Sequence, residues 1–83
     1  MNQLARDEKQ IGSIIRRRRK QLKLSQSQLG EKSGVRQALV SIVESGNPAT
    51  KIKTILSILA ALDLEFQIQE RSSADSFNIE DIF

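Results

Sequence analysis

Apolar residues recur at helical spacing towards both ends of this chain. On the N-terminal side they predict a helix over residues 8–22, with an apolar stripe made of Ile11, Ile14, Ile15 and Leu22. Beyond Pro48 they predict another helix, which Thr50 can cap. We expect this helix to close the core with its aliphatic side chains, which are Ile52, Ile55, Leu56, Ile58, Leu59 and Leu62.

Two short helices joined by a tight turn are predicted between these segments, in the stretch SQSQLGEKSGVRQALVSIVESG at residues 25–46. Ser25 is a good N-cap and Gln28 can complete a capping box, so one helix should begin near Gln26. Gly30 lets another helix approach closely. Gly34 supplies the positive φ with which the chain reverses at residues 33–35.

The helix after this turn has one face for a core and another for binding. Its apolar stripe consists of Leu39, Val40 and Val43, with Ile42 beside them. The residues that fall outside the stripe are Arg36, Gln37 and Ser41. Such a pair of helices can offer one of them to a DNA major groove, although an αα-hairpin in an unrelated small bundle would share the pattern.

The uneven distribution of charge favours DNA binding over an unrelated bundle. Between residues 9 and 53, eleven Lys and Arg residues are opposed only by Glu31 and Glu44, a net charge of +9. Over residues 54–83 only Arg71 opposes six acidic residues, a net charge of −5, and the whole chain carries +3. A nucleic-acid-binding body followed by an acidic tail has this asymmetry.

Length and composition narrow the remaining classes. An 83-residue chain forms one small domain, for which a dimer is an expected source of extra stability. There is no Cys and no His, and no carboxylate pair, nucleophile with its base, or phosphate-binding loop is spaced for catalysis. We therefore expect no enzyme activity, no metal and no cofactor.

The expected location is the cytoplasm. The N-terminal residues MNQLARDEKQ lack a signal-peptide hydrophobic region, and no apolar run approaches the about 20 residues needed to span a membrane. A DNA-binding protein of this kind would associate with the nucleoid of a bacterium.

The segment that begins at Gln26 resembles the helix-turn-helix of phage-repressor type. Counted from Gln26 as the first of twenty positions, Gly30 stands at the fifth, Gly34 at the ninth, Val40 at the fifteenth and Val43 at the eighteenth. These residues meet several constraints of that motif at once. The resemblance implies that the second of the two helices is the DNA-recognition helix.

The same resemblance implies an ion pair between the first helix and the recognition helix. An arginine at the place of Arg19 pairs in this family with a glutamate at the place of Glu44, so we expect a partly buried Arg19–Glu44 pair. Many members carry glycine at the place of Lys23. Because a non-glycine residue in the left-handed conformation costs of order 1 kcal/mol, the sequence does not decide where and how the first helix ends.

The basic run from Arg16 to Lys20 lies on the predicted first helix. At about 100° per residue its charges point all round the helix, so they cannot all reach phosphate. Arg18 falls within the apolar stripe and is expected to lay its aliphatic stem along the core rim. For Arg16, Arg17 and Lys20, a solvated basic face and direct phosphate contact are equally compatible with the sequence.

Residues 64–70 change the apolar period from 3.6 to 2, with Leu64, Phe66 and Ile68 on one face. No other segment of the sequence alternates in this way. We therefore predict a strand that pairs with the same strand of a second copy, antiparallel about a two-fold axis. The alternatives are an unpaired extended segment and a continuation of the fourth helix.

Four repressor-type helices followed at once by this strand resemble the HipB class of antitoxins. The similarity lies in VRQALVSIVE at the recognition helix and in LDLEFQIQE at the end of the fourth helix and the strand, and it covers roughly residues 10–70. It implies a dimer that binds an operator before its own operon and also binds a HipA-type toxin kinase. The alternative is a free-standing phage-type or metabolic repressor, while the basic body disfavours a non-DNA adaptor module.

DNA recognition would be divided between two sets of residues. Arg36 can address guanine or a phosphate, Gln37 adenine N6 and N7, and Ala38 a thymine methyl, while Ser41 can contact either base type. The expected phosphate contacts are Gln26, Asn47 and Lys51, with Arg16, Arg17 and Lys20 on the first helix.

The expected fold is all-α, with a four-helix DNA-binding domain and its dimerisation strand in residues 1–70 and an acidic tail in residues 71–83. Tails of this composition are mostly disordered. The functional alternative is a short acidic-hydrophobic peptide that folds on a toxin surface. Its apolar residues are Phe77, Ile79, Ile82 and Phe83.

Overall fold

The computed structural model describes residues 3–71, which form four α-helices and no strand. The helices are α1 at Glu8–Gln21, α2 at Gln26–Ser33, α3 at Gln37–Glu44 and α4 at Ile52–Ala61. The expected all-α four-helix domain is confirmed. The tail residues for which a toxin contact is predicted, Phe77, Ile79, Ile82 and Phe83, lie outside the described residues. None of the four helices is long and apolar enough to cross a membrane.

The start and end of α2 follow the predicted local signals. The Gln28 amide donates to Ser25 Oγ at 3.0 Å, and the Ser25 amide donates to Gln28 Oε1 at 2.8 Å, which completes the capping box. Gly34 ends the helix with a φ of 74°, a conformation that glycine adopts without steric cost. The turn into α3 therefore lies at the predicted place.

The C-terminus of α1 adopts the geometry usually given to glycine. Lys23 has a φ of 58°, and α1 ends just before it, at Gln21 with Leu22 as its C-cap. The Lys23 amide donates to the Lys20 carbonyl and the Leu24 amide to the Arg19 carbonyl, both at 3.0 Å, which is the Schellman pattern. These bonds and the packing of Leu24 against the core offset the cost of the left-handed residue.

The prediction that Thr50 caps α4 is wrong. The N-cap is Lys51, and no described side chain bonds to the free amides at this end. Thr50 lies one residue earlier, where its Oγ1 donates to the Asn47 carbonyl at 3.0 Å. Its hydroxyl therefore closes the loop before the helix.

The core lies where α1 and α2 pack against α3 and where α2 packs against α4. Its buried members are Ile15, Leu29, Val40, Val43, Ile55, Ile58, Leu59 and Leu62. The expectation that all the aliphatic residues of α4 are buried is wrong, because α4 faces the core with the side that contains Ile58. Ile52 and Leu56, on the other side of Leu59, are 68% and 47% exposed.

Three further residues of the predicted apolar stripes lie at the surface. Leu22 at the end of α1 is exposed, and so are Leu39 and Ile42 on α3. Periodicity places these residues next to a buried face, but each lies at the edge of its helix's contact region. Their burial was predicted from the stripe, and that prediction is wrong.

Residues 64–71 follow α4 as a segment that is neither helix nor strand in the single chain. A continuation of α4 is therefore wrong. Leu64 packs partly against the core, Phe66 is exposed, and Ile68 is 99% exposed. The apolar side of this segment thus leaves the domain progressively, and its pairing with a second copy stays a prediction.

Candidate nucleic-acid interface

The inner face of α3 is held by close packing against α1. Val40 and Val43 are buried in the core. A Cβ added at Gly12 of α1 would lie 2.5 Å from the Val43 carbonyl oxygen and 2.7 Å from that of Glu44. Only glycine permits the two backbones to come this close, so the distance between α1 and the C-terminal end of α3 is tightly defined.

A buried ion pair fixes the same end of α3. Arg19 Nε donates to Glu44 Oε2 at 2.7 Å, and Arg19 Nη2 donates to Glu44 Oε1 at 3.1 Å. The two side chains are only 11% and 4% exposed. This bidentate pair is the one that the sequence predicts, and it connects the last turn of α1 with the last residue of α3.

The ion pair is part of a larger polar network. Arg19 Nη1 donates to the Leu24 carbonyl at 2.8 Å, and Gln26 Nε2 donates to Glu44 Oε1 at 3.2 Å. The network therefore joins α1, the start of α2 and the end of α3. Within the described residues, every buried side-chain nitrogen or oxygen has a hydrogen-bond partner. A fully bonded network of this kind holds α3 in one orientation.

The outer face of α3 carries the four predicted base-reading residues. Gln37, Ala38 and Ser41 lie on α3, and Arg36 is its N-cap residue, with an extended backbone at φ −61° and ψ 144°. All four are exposed. These exposed residues make up the outer face of α3. Ala38 and Ser41 lie at least about 100° from both Val40 and Val43 around the helix axis, whereas Gln37 lies on a flank, about 60° from Val40.

The predicted phosphate-binding residues lie on the elements around α3. They differ in whether their side chains are hydrogen-bonded to other parts of the domain. Arg16, Lys20 and Lys51 are exposed. Arg17 Nη1 donates to Gln3 Oε1 at 2.9 Å. Asn47 is exposed in the loop after α3, where its Oδ1 accepts from the Ala49 amide at 2.8 Å.

Gln26 differs from the others because its side chain is half-buried and bonded to Glu44. Sequence reasoning treated it as a surface residue at the start of α2. Its side chain instead supports the ion pair, which the sequence signal at a helix N-terminus does not reveal.

Sequence reasoning also missed the role of the Arg18 guanidinium. Arg18 is half-buried, as expected for a charged residue within an apolar stripe, and its Nε donates to the Leu62 carbonyl at 3.1 Å. This bond ties α1 to the C-terminal end of α4, where free carbonyls attract cations. The clue in the sequence was a charged residue at a core-facing position.

Comparisons with known proteins agree with this geometry. The Helix-turn-helix family model matches residues 15–69. Among curated proteins, none is similar enough in sequence to count as a match.

Several solved structures share the fold. A HipB variant in a complex with the O2 20-mer superposes with a TM-score of 0.80 at 25% identity, covering 87% of this chain and 100% of that chain. HipB in a HipA-HipB-O2-O3 complex superposes with a TM-score of 0.78 at 29% identity, covering 86% and 100%. Because the family model spans the α2–turn–α3 unit, the second half of α1 and all of α4, this chain belongs to the helix-turn-helix family.

Proposed function

We propose that this protein is a sequence-specific DNA-binding antitoxin that represses its own operon, of the HipBA type. The observation that carries the proposal is the contrast across α3. Its inner face is locked by the Arg19–Glu44 pair, while Arg36, Gln37, Ala38 and Ser41 are all exposed on its outer side. A rigidly held helix that presents hydrogen-bonding side chains and a small apolar one suits base reading in a major groove.

Each of the four residues has a role that follows from its chemistry. Gln37 makes paired hydrogen bonds to adenine N6 and N7, and Arg36 donates to guanine or to a neighbouring phosphate. Ala38 contacts a thymine methyl, and Ser41 donates to or accepts from either base type. Together they give the protein its sequence preference.

Phosphate contacts on both sides of α3 would set the position of the domain on the duplex. On one side these come from the exposed basic face of α1, with Arg16, Arg17 and Lys20. On the other side they come from Asn47 and Lys51. Because the Gln26 side chain is bonded to Glu44, the contact at the start of α2 is made by backbone amides at the positive end of the helix dipole.

Dimerisation would place two copies of α3 in successive grooves. Phe66 and Ile68 are exposed apolar residues in an extended stretch, and a groove of about 430 Å³ runs beside them. Apolar side chains of α1 and α4 line that groove, namely Ile11, Ile14 and Leu59. A second copy that pairs along residues 64–68 would cover both features and complete an antiparallel two-stranded sheet.

The toxin partner is inferred from the HipB likeness. The alignments with two HipB structures, at 25% and 29% identity, span 100% of each HipB chain, and one of these structures is a complex with HipA. We infer that this chain likewise binds a HipA-like kinase toxin. The alternative, a free-standing phage-type or metabolic repressor, differs in lacking such a partner.

DNA binding is tested by titrating the purified protein against the duplex that precedes its own gene, with a shuffled duplex as the control. We expect tighter binding to the native duplex and a two-fold symmetric footprint with half-sites about one helical turn apart. Equal affinity for both duplexes would contradict sequence-specific repression.

The toxin partner is tested by co-expressing the tagged protein with the product of the neighbouring gene. Stable co-purification of a kinase-like protein is expected, and deletion of residues 72–83 should weaken that complex while leaving operator binding intact. Operator binding without any such complex would instead identify a free-standing repressor.

A further inference from the structure

An exposed aliphatic side chain lies next to the predicted base reader Ala38 on the outer face of α3. Ile42 is 41% exposed, although its place beside the apolar stripe predicts burial. We infer that Ile42 is a further specificity-determining residue, which packs against the 5-methyl group of a thymine in the major groove. The inference rests on the proposed DNA-binding function and adds a base contact to it.

The helical geometry puts Ile42 beside the predicted base readers. At about 100° per residue, Ile42 lies about 40° from Ala38 around the helix axis and one turn further along it. Ser41 lies on the other side of Ala38, about 60° away. Ala38 and Ile42 therefore form a short apolar strip on the outer face. Ala38 lies about 140° to 160° from Val40 and Val43, and Ile42 lies about 160° from Val40 and about 100° from Val43.

The backbone at Ile42 is firmly held. Its carbonyl accepts a hydrogen bond from Ser45 Oγ at 2.6 Å and another from the Asn47 amide at 3.4 Å. The residue after it, Val43, is buried in the core. The β-branched side chain of Ile42 has few rotamers in a helix, so its methyl groups are presented from a fixed position at little entropic cost.

The chemistry of the major groove decides what such a side chain can recognise. Guanine, cytosine and adenine present hydrogen-bond donors and acceptors there, whereas thymine adds an apolar methyl group. An isoleucine cannot bond to the polar edges, and contact with them would leave those edges without water. Its favourable partner is the thymine methyl, and burial of one methyl group changes a binding constant about fourfold.

Leu39 provides a matched control on the same helix. It is 42% exposed, close to the 41% of Ile42, and it is also an aliphatic residue. However, Leu39 lies about 40° from the buried Val43 and about 160° from both Gln37 and Ser41, on the flank of α3 that is remote from these base readers. A base contact should therefore depend on Ile42 and not on Leu39.

The test removes the methyl group from the DNA and the aliphatic group from the protein separately. A preferred duplex is first selected from random sequence with the wild-type protein. Each thymine of one half-site is then replaced by deoxyuridine, which lacks only the 5-methyl group. The affinities of wild type, Ile42→Ala and Leu39→Ala are measured on every duplex, after thermal unfolding has verified that both variants are folded.

We expect one thymine at which deoxyuridine weakens wild-type binding about fourfold and has no effect on Ile42→Ala. Leu39→Ala should keep the wild-type pattern. At any thymine that Ala38 contacts, all three proteins should stay sensitive. An Ile42→Gln variant, which can bond to adenine, should shift the selected base at the same position.

Several results would overturn the inference. In one, Ile42→Ala stays sensitive to deoxyuridine at every thymine at which wild type is sensitive. In another, Ile42→Ala binds all duplexes equally more weakly and shifts from dimer to monomer, which would make Ile42 a contact between copies. Both results leave the proposed function intact. A wild-type protein that selects no duplex from the random pool would overturn the proposed function and this inference together.

Discussion

The two faces of α3 differ in what holds them and therefore in what a substitution there should change. The inner face contains Val40, Val43 and Glu44, all in contact with other elements, and at Gly12 the backbones of α1 and α3 are too close to admit a Cβ. The outer face contains Gln37, Ala38, Ser41 and Ile42, all exposed.

This contrast separates stability from recognition within a helix of eight residues. Changes to the inner face should lower the free energy of unfolding. Changes to the outer face should lower DNA affinity and leave stability within about 0.5 kcal/mol of wild type.

The largest effect is expected for Glu44→Ala on the inner face. The substitution leaves the Arg19 guanidinium, which is 11% exposed, without its carboxylate partner. Removing one member of a buried pair typically costs about 3 to 5 kcal/mol. Chemical denaturation should therefore show a loss of about that size.

Glu31→Ala is the matched control for this prediction, because Glu31 is an exposed glutamate on α2. Its substitution should change the free energy of unfolding by less than about 0.5 kcal/mol. If Glu44→Ala were as stable as this control, the ion pair would not be what holds α3 in place.

A smaller loss of stability is expected for Gly12→Ala. The added Cβ would meet the Val43 carbonyl oxygen at 2.5 Å, so α1 and α3 would have to move apart. Overpacking of this kind costs about 1 to 3 kcal/mol, although alanine is the better helix former. Thermal or chemical unfolding of the purified variant measures the change.

Gly34→Ala measures the cost of a side chain in the left-handed backbone conformation, without the steric clash that is expected at Gly12. Gly34 has a φ of 74°, and no described atom lies within 4 Å of a Cβ built there. The expected cost is therefore about 1 kcal/mol, from the left-handed backbone alone. A Gly12→Ala variant more stable than Gly34→Ala would mean that the inner face is less tightly packed than the structure indicates.

On the outer face, Gln37→Ala should leave unfolding unchanged and weaken binding to the specific duplex. Loss of a bidentate contact to adenine costs about 1 to 3 kcal/mol of discrimination. Titration against the selected duplex and against one altered at the contacted adenine gives the measurement. Wild-type affinity on the specific duplex would show that α3 is not the recognition helix.

Local signals in the sequence were enough to predict much of this separation. The capping box of Ser25 and Gln28 and the reversal at Gly34 depend only on neighbouring residues, so their spacing suffices. The pairing of Arg19 with Glu44 could be predicted because the helix-turn-helix resemblance supplied the long-range contact. The positions of Gln37 and Ser41 outside the apolar stripe followed from the helical period.

Features that depend on how helices dock were not predictable in the same way. The apolar surface of α4 is wider than its contact region, so periodicity alone did not decide that Ile58 is buried and Leu56 exposed. Ile42 was misplaced for the same reason on α3. The bond from Arg18 to the Leu62 carbonyl joins residues 44 positions apart, and no local pattern signals it.

The smallest effect, on DNA affinity and its salt dependence, is expected for Lys51→Gln, which removes a proposed phosphate contact and no base contact. Lys51 is exposed at the start of α4, beside the loop that follows α3. If it neutralises one phosphate in each half-site, its removal should weaken binding to specific and nonspecific duplexes alike and reduce the slope of log affinity against log salt by about 0.9 per contact.

Lys32→Gln is the matched control. It removes the same charge from an exposed lysine in the last turn of α2, outside the proposed contacts. Its slope should match wild type, because counterions are released only where a cation meets the backbone. Equal slopes for both variants would mean that Lys51 contributes only to the general positive potential of the domain, and the phosphate contact beside α3 would then have to be made by another residue, such as Asn47.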